Sequence, residues 1–183
     1  MTTTTTDTLS QPSKRMPKGL AVPRSRLRAV PEQPAYRDLD AFVGLVAGAT
    51  PFELVDLERR GVEGRFLKDV SRRLDVPQLH VFAMLGVPKA TAEKKSAAGE
   101  VISGSSGQAA IGMARLIAKA QEIVAGSTAE AALDFDAARW LGKWLDLPQP
   151  ALGGRKPSGL LDTPTGLDVV LKLLGAIESG AYQ

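Results

Sequence analysis

With 183 residues, 44% of them apolar and only 5% aromatic, the chain can fill one sizeable core or two small helical ones, built mainly from Leu, Val, Ile and Ala. It has no cysteine, which excludes disulfides, thiolate metal sites and a cysteine nucleophile, and no apolar run is long enough to read as a membrane span or a secretion signal. The net charge of +3 is unevenly spread: residues 1–34 carry six Lys or Arg against two acids, residues 59–95 nine against four, and residues 96–183 seven against nine, so the first two stretches are where nucleic acid could be met.

Taken in chain order, residues 1–35 combine a threonine run, five prolines and scattered basic side chains with few large apolar groups, and are expected to form a disordered basic tail. From Asp38 the pattern turns helical, with Leu39, Phe42, Val43 and Val46 on one face. Thr50-Pro51 reads as a cap followed by a first-turn proline; Phe52, Leu54, Val55 and Leu57 follow, and Gly61 closes that element. Phe66, Leu67, Val70 and Leu74 mark the next helix, ended by Asp75-Val76-Pro77.

A short helix is expected over 78–85, with Leu79, Phe82, Ala83 and Leu85 as its apolar positions. The turn Gly86-Val87-Pro88 joins it to a polar helix over 89–98. That pair has the dimensions of a helix-turn-helix, and Lys89, Thr91, Lys94 and Lys95 of its second member suit phosphate contacts. Residues 99–108, with Ser103-Gly104-Ser105-Ser106-Gly107, read as a flexible connector rather than a nucleotide cradle, because neither a strand nor a Gly-Lys-Ser/Thr sequence accompanies them.

A long helix is expected over 108–125, striped by Met113, Leu116, Ile117, Ala120, Ile123 and Val124. Asp136 reads as the cap of a helix bearing Trp140, Leu141, Trp144 and Leu145, stopped by Pro148 and Pro150. A last helix begins at Thr163-Pro164, carries Leu167, Val170, Leu171, Leu174 and Ile177 inward, and has Gly180 in a C-cap position. No strand is expected.

Catalytic chemistry finds little support. His80 is the sole histidine and reads as a packing or surface residue rather than an acid or base; with it alone a zinc site would need several carboxylates. Asp134 and Asp136 are better explained by helix capping than as a carboxylate dyad. No cofactor, metal or catalytic residue is assigned.

One stretch is more specific. Ala138-Arg139-Trp140-Leu141, then Leu147-Pro148-Gln149-Pro150-Ala151-Leu152-Gly153-Gly154, Pro157, Leu160-Leu161-Asp162-Thr163, Gly166 and the closing Leu173-Leu174-Gly175-Ala176-Ile177-Glu178-Ser179-Gly180-Ala181-Tyr182 resemble the toxin-binding domain of Xre/MbcA/ParS antitoxins. The resemblance is marked over residues 130–183 and weaker over 60–125, where such antitoxins carry an Xre-like helix-turn-helix.

It implies an all-α protein with a helix-turn-helix domain over 36–107 and a helical toxin-binding domain over 108–183. The implied partner is a RES-domain toxin that uses NAD+, and the implied mechanism is occlusion of its NAD+ pocket, with autoregulation of the operon beside it. Carried onto this chain, the toxin-binding surface is Leu152, Gly153, Gly154, Arg155, Pro157, Leu160, Gly180, Ala181 and Tyr182, with Lys156 beside Arg155 facing acidic groups. The second helix departs from the Arg-Thr-Leu-x-Arg pattern of relatives: Ala90-Thr91-Ala92-Glu93-Lys94-Lys95 keeps the threonine and loses the arginines. A cytoplasmic homodimer inside a hetero-oligomer is expected. The alternative reading is a DNA-binding transcriptional regulator whose C-terminal half only dimerises.

Overall fold

The computed structural model describes Met1, residues 36–126 and residues 134–178. The expected tail, Met1 apart, and the expected C-cap at Gly180 lie outside the described residues.

The capping chemistry legible in the sequence sets the first helices. Asp38 accepts a hydrogen bond from the Ala41 N–H and starts α1 (Leu39–Gly48). Thr50 starts α2 (Pro51–Arg60) with a full capping box: the Glu53 N–H donates to Thr50 Oγ1, and the Thr50 N–H donates to the Glu53 carboxylate at 2.8 Å. α3 (Arg65–Leu74) buries Phe66, Leu67, Val70 and Leu74 and ends on Asp75 in the left-handed region at φ 58°. α4 (Gln78–Met84) and α5 (Lys89–Ala98) follow. α6 (Gly104–Ala125), α7 (Ala137–Leu145) and α8 (Pro164–Glu178) complete the helices described.

The chain is all-α, and α6 is its axle. From Gly107 to Ala120 it buries ten side chains or glycines, several of them alanines, so that neighbours approach it closely. α1, α2, α7 and α8 all pack on it. α3 forms a second hub, touching α4, α5 and α7. Tyr36, Phe42 and Phe66 clasp α1 to α3 in edge-on pairs with centroids 5.6–6.1 Å apart.

Two expectations are overturned by one local feature. The connector at 99–108 is instead a strand followed by the first turn of α6, and strands exist. β1 (Val62–Glu63) pairs antiparallel with β2 (Val101–Ile102), Val62 opposite Ile102. The glycine-serine run misleads because its glycine is there for space rather than looseness. A Cβ on Gly107 would sit 2.8 Å from the Ile102 carbonyl oxygen and 3.6 Å from the Gly61 Cα, so the ladder can fold back on α6 only over a bare backbone.

The apolar stripes also need correction. Phe52 of α2 is 85% exposed and Val55 is exposed, because α2 lies on the surface of α6 and only Leu57, with Leu54 beside it, faces inward. In α4, Leu79 and Ala83 are exposed while Val81, Phe82 and Met84 are buried. In α8, Leu173 joins Leu167, Val170 and Leu174 in the core. No helix among the described residues is long and apolar enough to cross a membrane.

Candidate functional site

The loop between α7 and α8 is built from its two ends inward. Asp136 caps α7, accepting from the Ala138 and Arg139 N–H groups at 3.1 and 3.0 Å and from the Arg73 guanidinium at 2.9 Å. The Arg139 N–H, followed by the Arg73 charge, holds the Asp136 carboxyl below the usual aspartate range, and the Thr50 backbone does the same for Glu53.

Both groups have folded values beneath their unfolded ones. Their contribution to stability is therefore present above the ordinary carboxylate range and lost as the pH falls through the depressed values. Asn also caps helices but does not titrate in this range, so Asp136→Asn should melt with a shallower loss between about pH 6 and pH 3 than the parent. Parallel acid melting curves for the two proteins would contradict this account.

After α7 the chain folds on itself within seven residues. Gln149 and Arg155 form an antiparallel bridge, the Gln149 N–H donating to the Arg155 carbonyl and the Gly154 N–H to the Gln149 carbonyl, each at 3.0 Å. A 3-10 turn (Pro150–Leu152) fills the space between, and Gly153 and Gly154 return the chain at φ 62° and 80°. Nothing lies within 4 Å of where their Cβ atoms would be. These two glycines therefore serve the left-handed backbone rather than packing, and leave a bare, exposed rim. Gln149 is buried and donates its Nε2 to the Leu147 carbonyl at 3.1 Å.

A second 3-10 turn (Pro157–Leu160) leads into α8, whose cap is Thr163, accepting from the Gly166 N–H at 3.1 Å. Of the residues expected to meet a toxin, Gly153, Gly154 and Arg155 are exposed together, and Leu152 and Leu160 are half-buried. Pro157 is buried, so it shapes the loop from beneath. Gly180, Ala181 and Tyr182 lie outside the described residues. Leu147 joins the exposed set, at 56%. Trp140 and Trp144 stack at 5.9 Å, with Trp144 buried in the core.

The loop is tied to the rest of the protein by a contact that no sequence pattern announces. Asp146, the C-cap of α7, accepts from Ser158 Oγ at 2.9 Å and meets His80 Nε2 of α4 at 2.8 Å. His80 is thus a tie between helices rather than a packing residue. The order is serine, aspartate, histidine: the hydroxyl points to the carboxylate rather than to the imidazole, so no base activates it. Asp146→Asn keeps the shape but loses the charge on which both partners converge. It should cost about 1 kcal/mol at this half-exposed site and speed amide exchange across residues 149–160. Unchanged exchange there would mean the tie does not hold the loop.

α4 and α5 pack on each other and on α3, joined through Leu85–Pro88. Lys89, Thr91 and Lys94 are exposed on α5; Lys89 lies 3.8 Å from Glu93. Lys95 is half-buried, and its Nζ donates to the Val101 carbonyl at 2.6 Å, tying the end of α5 to β2 rather than reaching outward.

Residues 119–180 match the family described as the antitoxin Xre/MbcA/ParS C-terminal toxin-binding domain. The chain is also 36% identical over 136 residues to the Prs ADP-ribosylating antitoxin of Sphingobium sp. (strain YBL2), an alignment covering 73% of this chain and 83% of that protein. This chain belongs to the Xre/MbcA/ParS antitoxin family. It is an antitoxin of a toxin–antitoxin system, and its α7–α8 region, with the end of α6, is the toxin-binding domain of the family. The self-bridged Gly-Gly loop of the antitoxin lies wholly within that matched segment.

Proposed function

We propose that this antitoxin neutralises a RES-domain toxin by occlusion, seating the 147–160 loop over the toxin's NAD+ pocket without chemistry of its own. The observation that carries this reading is the bridged loop. It is closed by its own backbone hydrogen bonds, bare at Gly153 and Gly154, and flanked by exposed Leu147 and Arg155. A preorganised loop loses little entropy on docking, which favours tight inhibition. The name of the Sphingobium relative pairs an antitoxin with ADP-ribosylation, a reaction that draws on NAD+, and so supports an NAD+-using partner. Leu152, Gly153, Gly154, Arg155 and Leu160 form the contact surface in this reading, Pro157 braces it, and Gly180, Ala181 and Tyr182 extend it.

The region 36–107, holding α4 and α5, serves as the DNA-binding half. The protein works in the cytoplasm as a homodimer, repressing its own operon through Lys89, Thr91 and Lys94. Co-expression with the adjacent reading frame, followed by purification and an NAD+-consumption assay, tests the reading. A stable complex in which NAD+ loss begins only once the antitoxin is stripped away is the expected result. Absence of any complex, together with binding to upstream DNA, would establish instead a regulator whose C-terminal half only dimerises.

A further inference from the structure

A strongly basic concavity lies not on the expected second helix of the pair but beside it. α3 presents Arg65, Lys68, Arg72 and Arg73 along one exposed face, and Arg37 at the start of α1 leans over the same trough of about 640 Å³. Five cations line it against two carboxylates, Asp38 and Asp69. Asp69 is already engaged, accepting from the Tyr36 hydroxyl at 2.7 Å and from Arg72. Arg65 pairs with Glu63 at 2.9 Å, and Arg73 with Asp136 at 2.9 Å and Asp40 at 3.8 Å. Lys68 and Arg37 have no ion pair among the described residues.

A second, independent observation lies in the same trough. Ser96 of α5, 4% exposed, lines it, and its hydroxyl has no hydrogen-bond partner among the described residues. A buried hydroxyl left unpaired is costly and calls for a partner that arrives with a ligand.

We propose that this trough seats the phosphodiester backbone of duplex DNA, independent of base sequence. Arg37, Lys68 and Arg72 would neutralise phosphates, and Ser96 would donate to a phosphate oxygen. Guanidinium forks and ammonium groups beside a free hydroxyl match phosphate oxygens. A peptide or a free nucleotide would require an apolar or stacking shelf, whereas among the described residues of the lining Leu39 is the one apolar side chain. The trough is also walled by α5, so a backbone lying in it would run beside the helix proposed to face the bases. The inference rests on the DNA-binding part of the proposed function and assigns most of the affinity to residues outside α5.

Fluorescence anisotropy with the full chain, using a duplex from upstream of its gene and a scrambled duplex of equal length, tests this across a salt series. Lys68→Ala with Arg72→Ala should weaken both duplexes equally, roughly tenfold or more, and reduce the slope of log affinity against log salt by about two. Lys172→Ala on the exposed face of α8 should change neither. Ser96→Ala should weaken binding about fivefold while raising the melting temperature of the free protein, because it removes the unpaired hydroxyl. A purely structural serine would not give that opposition of signs.

Equal affinity and slope for the parent and the double variant would overturn the trough assignment and leave operator binding by α5 standing. A loss confined to the upstream duplex would overturn it too, since backbone contacts carry no sequence. If the parent binds neither duplex, the trough and the repressor role fall together, while toxin neutralisation is unaffected. Pyrophosphate protecting the trough in that case would assign it to a free phosphate instead. Retention of toxin co-purification by the double variant guards against a folding artefact.

Discussion

Alanine at Gly142 is expected to lower the melting temperature by roughly 4–8 °C. Gly142 sits inside α7 where that helix crosses α3, and a Cβ there would lie 2.3 Å from the carbonyl oxygen of Leu74 and 3.1 Å from the Leu74 Cβ. The obstacle is backbone, which no rotamer change can move, so the two helices must part. Forced separation of packed elements costs about 3 kcal/mol, against a gain of about 1 kcal/mol in helix propensity on replacing glycine. The net of about 2 kcal/mol sets the shift for a chain of this length. Gly44, exposed inside α1 with nothing within 4 Å of its Cβ position, is the matched control. There only the propensity gain operates, so Gly44→Ala should raise the melting temperature by a few degrees. Differential scanning calorimetry of both variants decides it. A Gly142→Ala protein as stable as the parent would show that α7 rides on α3 loosely and that the toxin-binding half is not clamped to the rest.

The same crossing explains why much of the fold was legible in the sequence and part was not. Helix starts were readable because capping is local: Thr50-Pro51, Asp136 and Thr163-Pro164 each carry cap and first turn within a few residues. Core stripes of α1, α3 and α6 were readable because their periodicity survives burial on one side. The failures have a common cause. Ser103 to Gly107 has loop composition, but its conformation is decided by β1, more than 40 residues away, whose pairing with β2 needs a glycine beneath it. Phe52 belongs to an apolar stripe but is left exposed, because among the described residues α2 packs inward only through Leu57 and Leu54. Whether a stripe is buried depends on what packs over it, and that is not written in the stripe.

The candidate site divides in the same way. Gly153-Gly154 was visible as a signature, and the structure supplies the reason for it: two consecutive left-handed residues closing the bridge between Gln149 and Arg155. The tie from His80 to Asp146 spans 66 positions and leaves no periodic trace. The basic trough is foreshadowed by the charge excess over 59–95, but the phosphate contacts expected from the sequence fall on α5, where Lys95 is spent on the Val101 carbonyl. The cations on α3 needed the position of Ser96 and Arg37 before they formed a concavity.

Aspartate at Leu147 is expected to weaken toxin binding by about 100-fold or more while leaving the fold untouched. Leu147 is 56% exposed, so a polar replacement removes little packing, and changes at such positions usually stay within about 0.5 kcal/mol. In the complex proposed above, the same side chain enters a dehydrated interface, where an unpaired carboxylate costs several kcal/mol and about 3 kcal/mol suffices for a loss of that size. Gly153→Asn probes the rim independently. Asn tolerates the left-handed conformation at φ 62°, ψ 35°, and space is open around that Cβ, so the free antitoxin accommodates it. The added side chain then projects from the bare rim into whatever docks there and should lower affinity about tenfold or more through overpacking. Val169→Asp, exposed on α8 outside residues 147–160, serves as the control. Titration of immobilised toxin with the three variants separates the outcomes. Losses at Leu147 and Gly153 with Val169 silent place the interface on the bridged loop. A loss at Val169 with the loop variants silent would move it to the outer face of α8, and occlusion by the Gly-Gly rim would have to be given up.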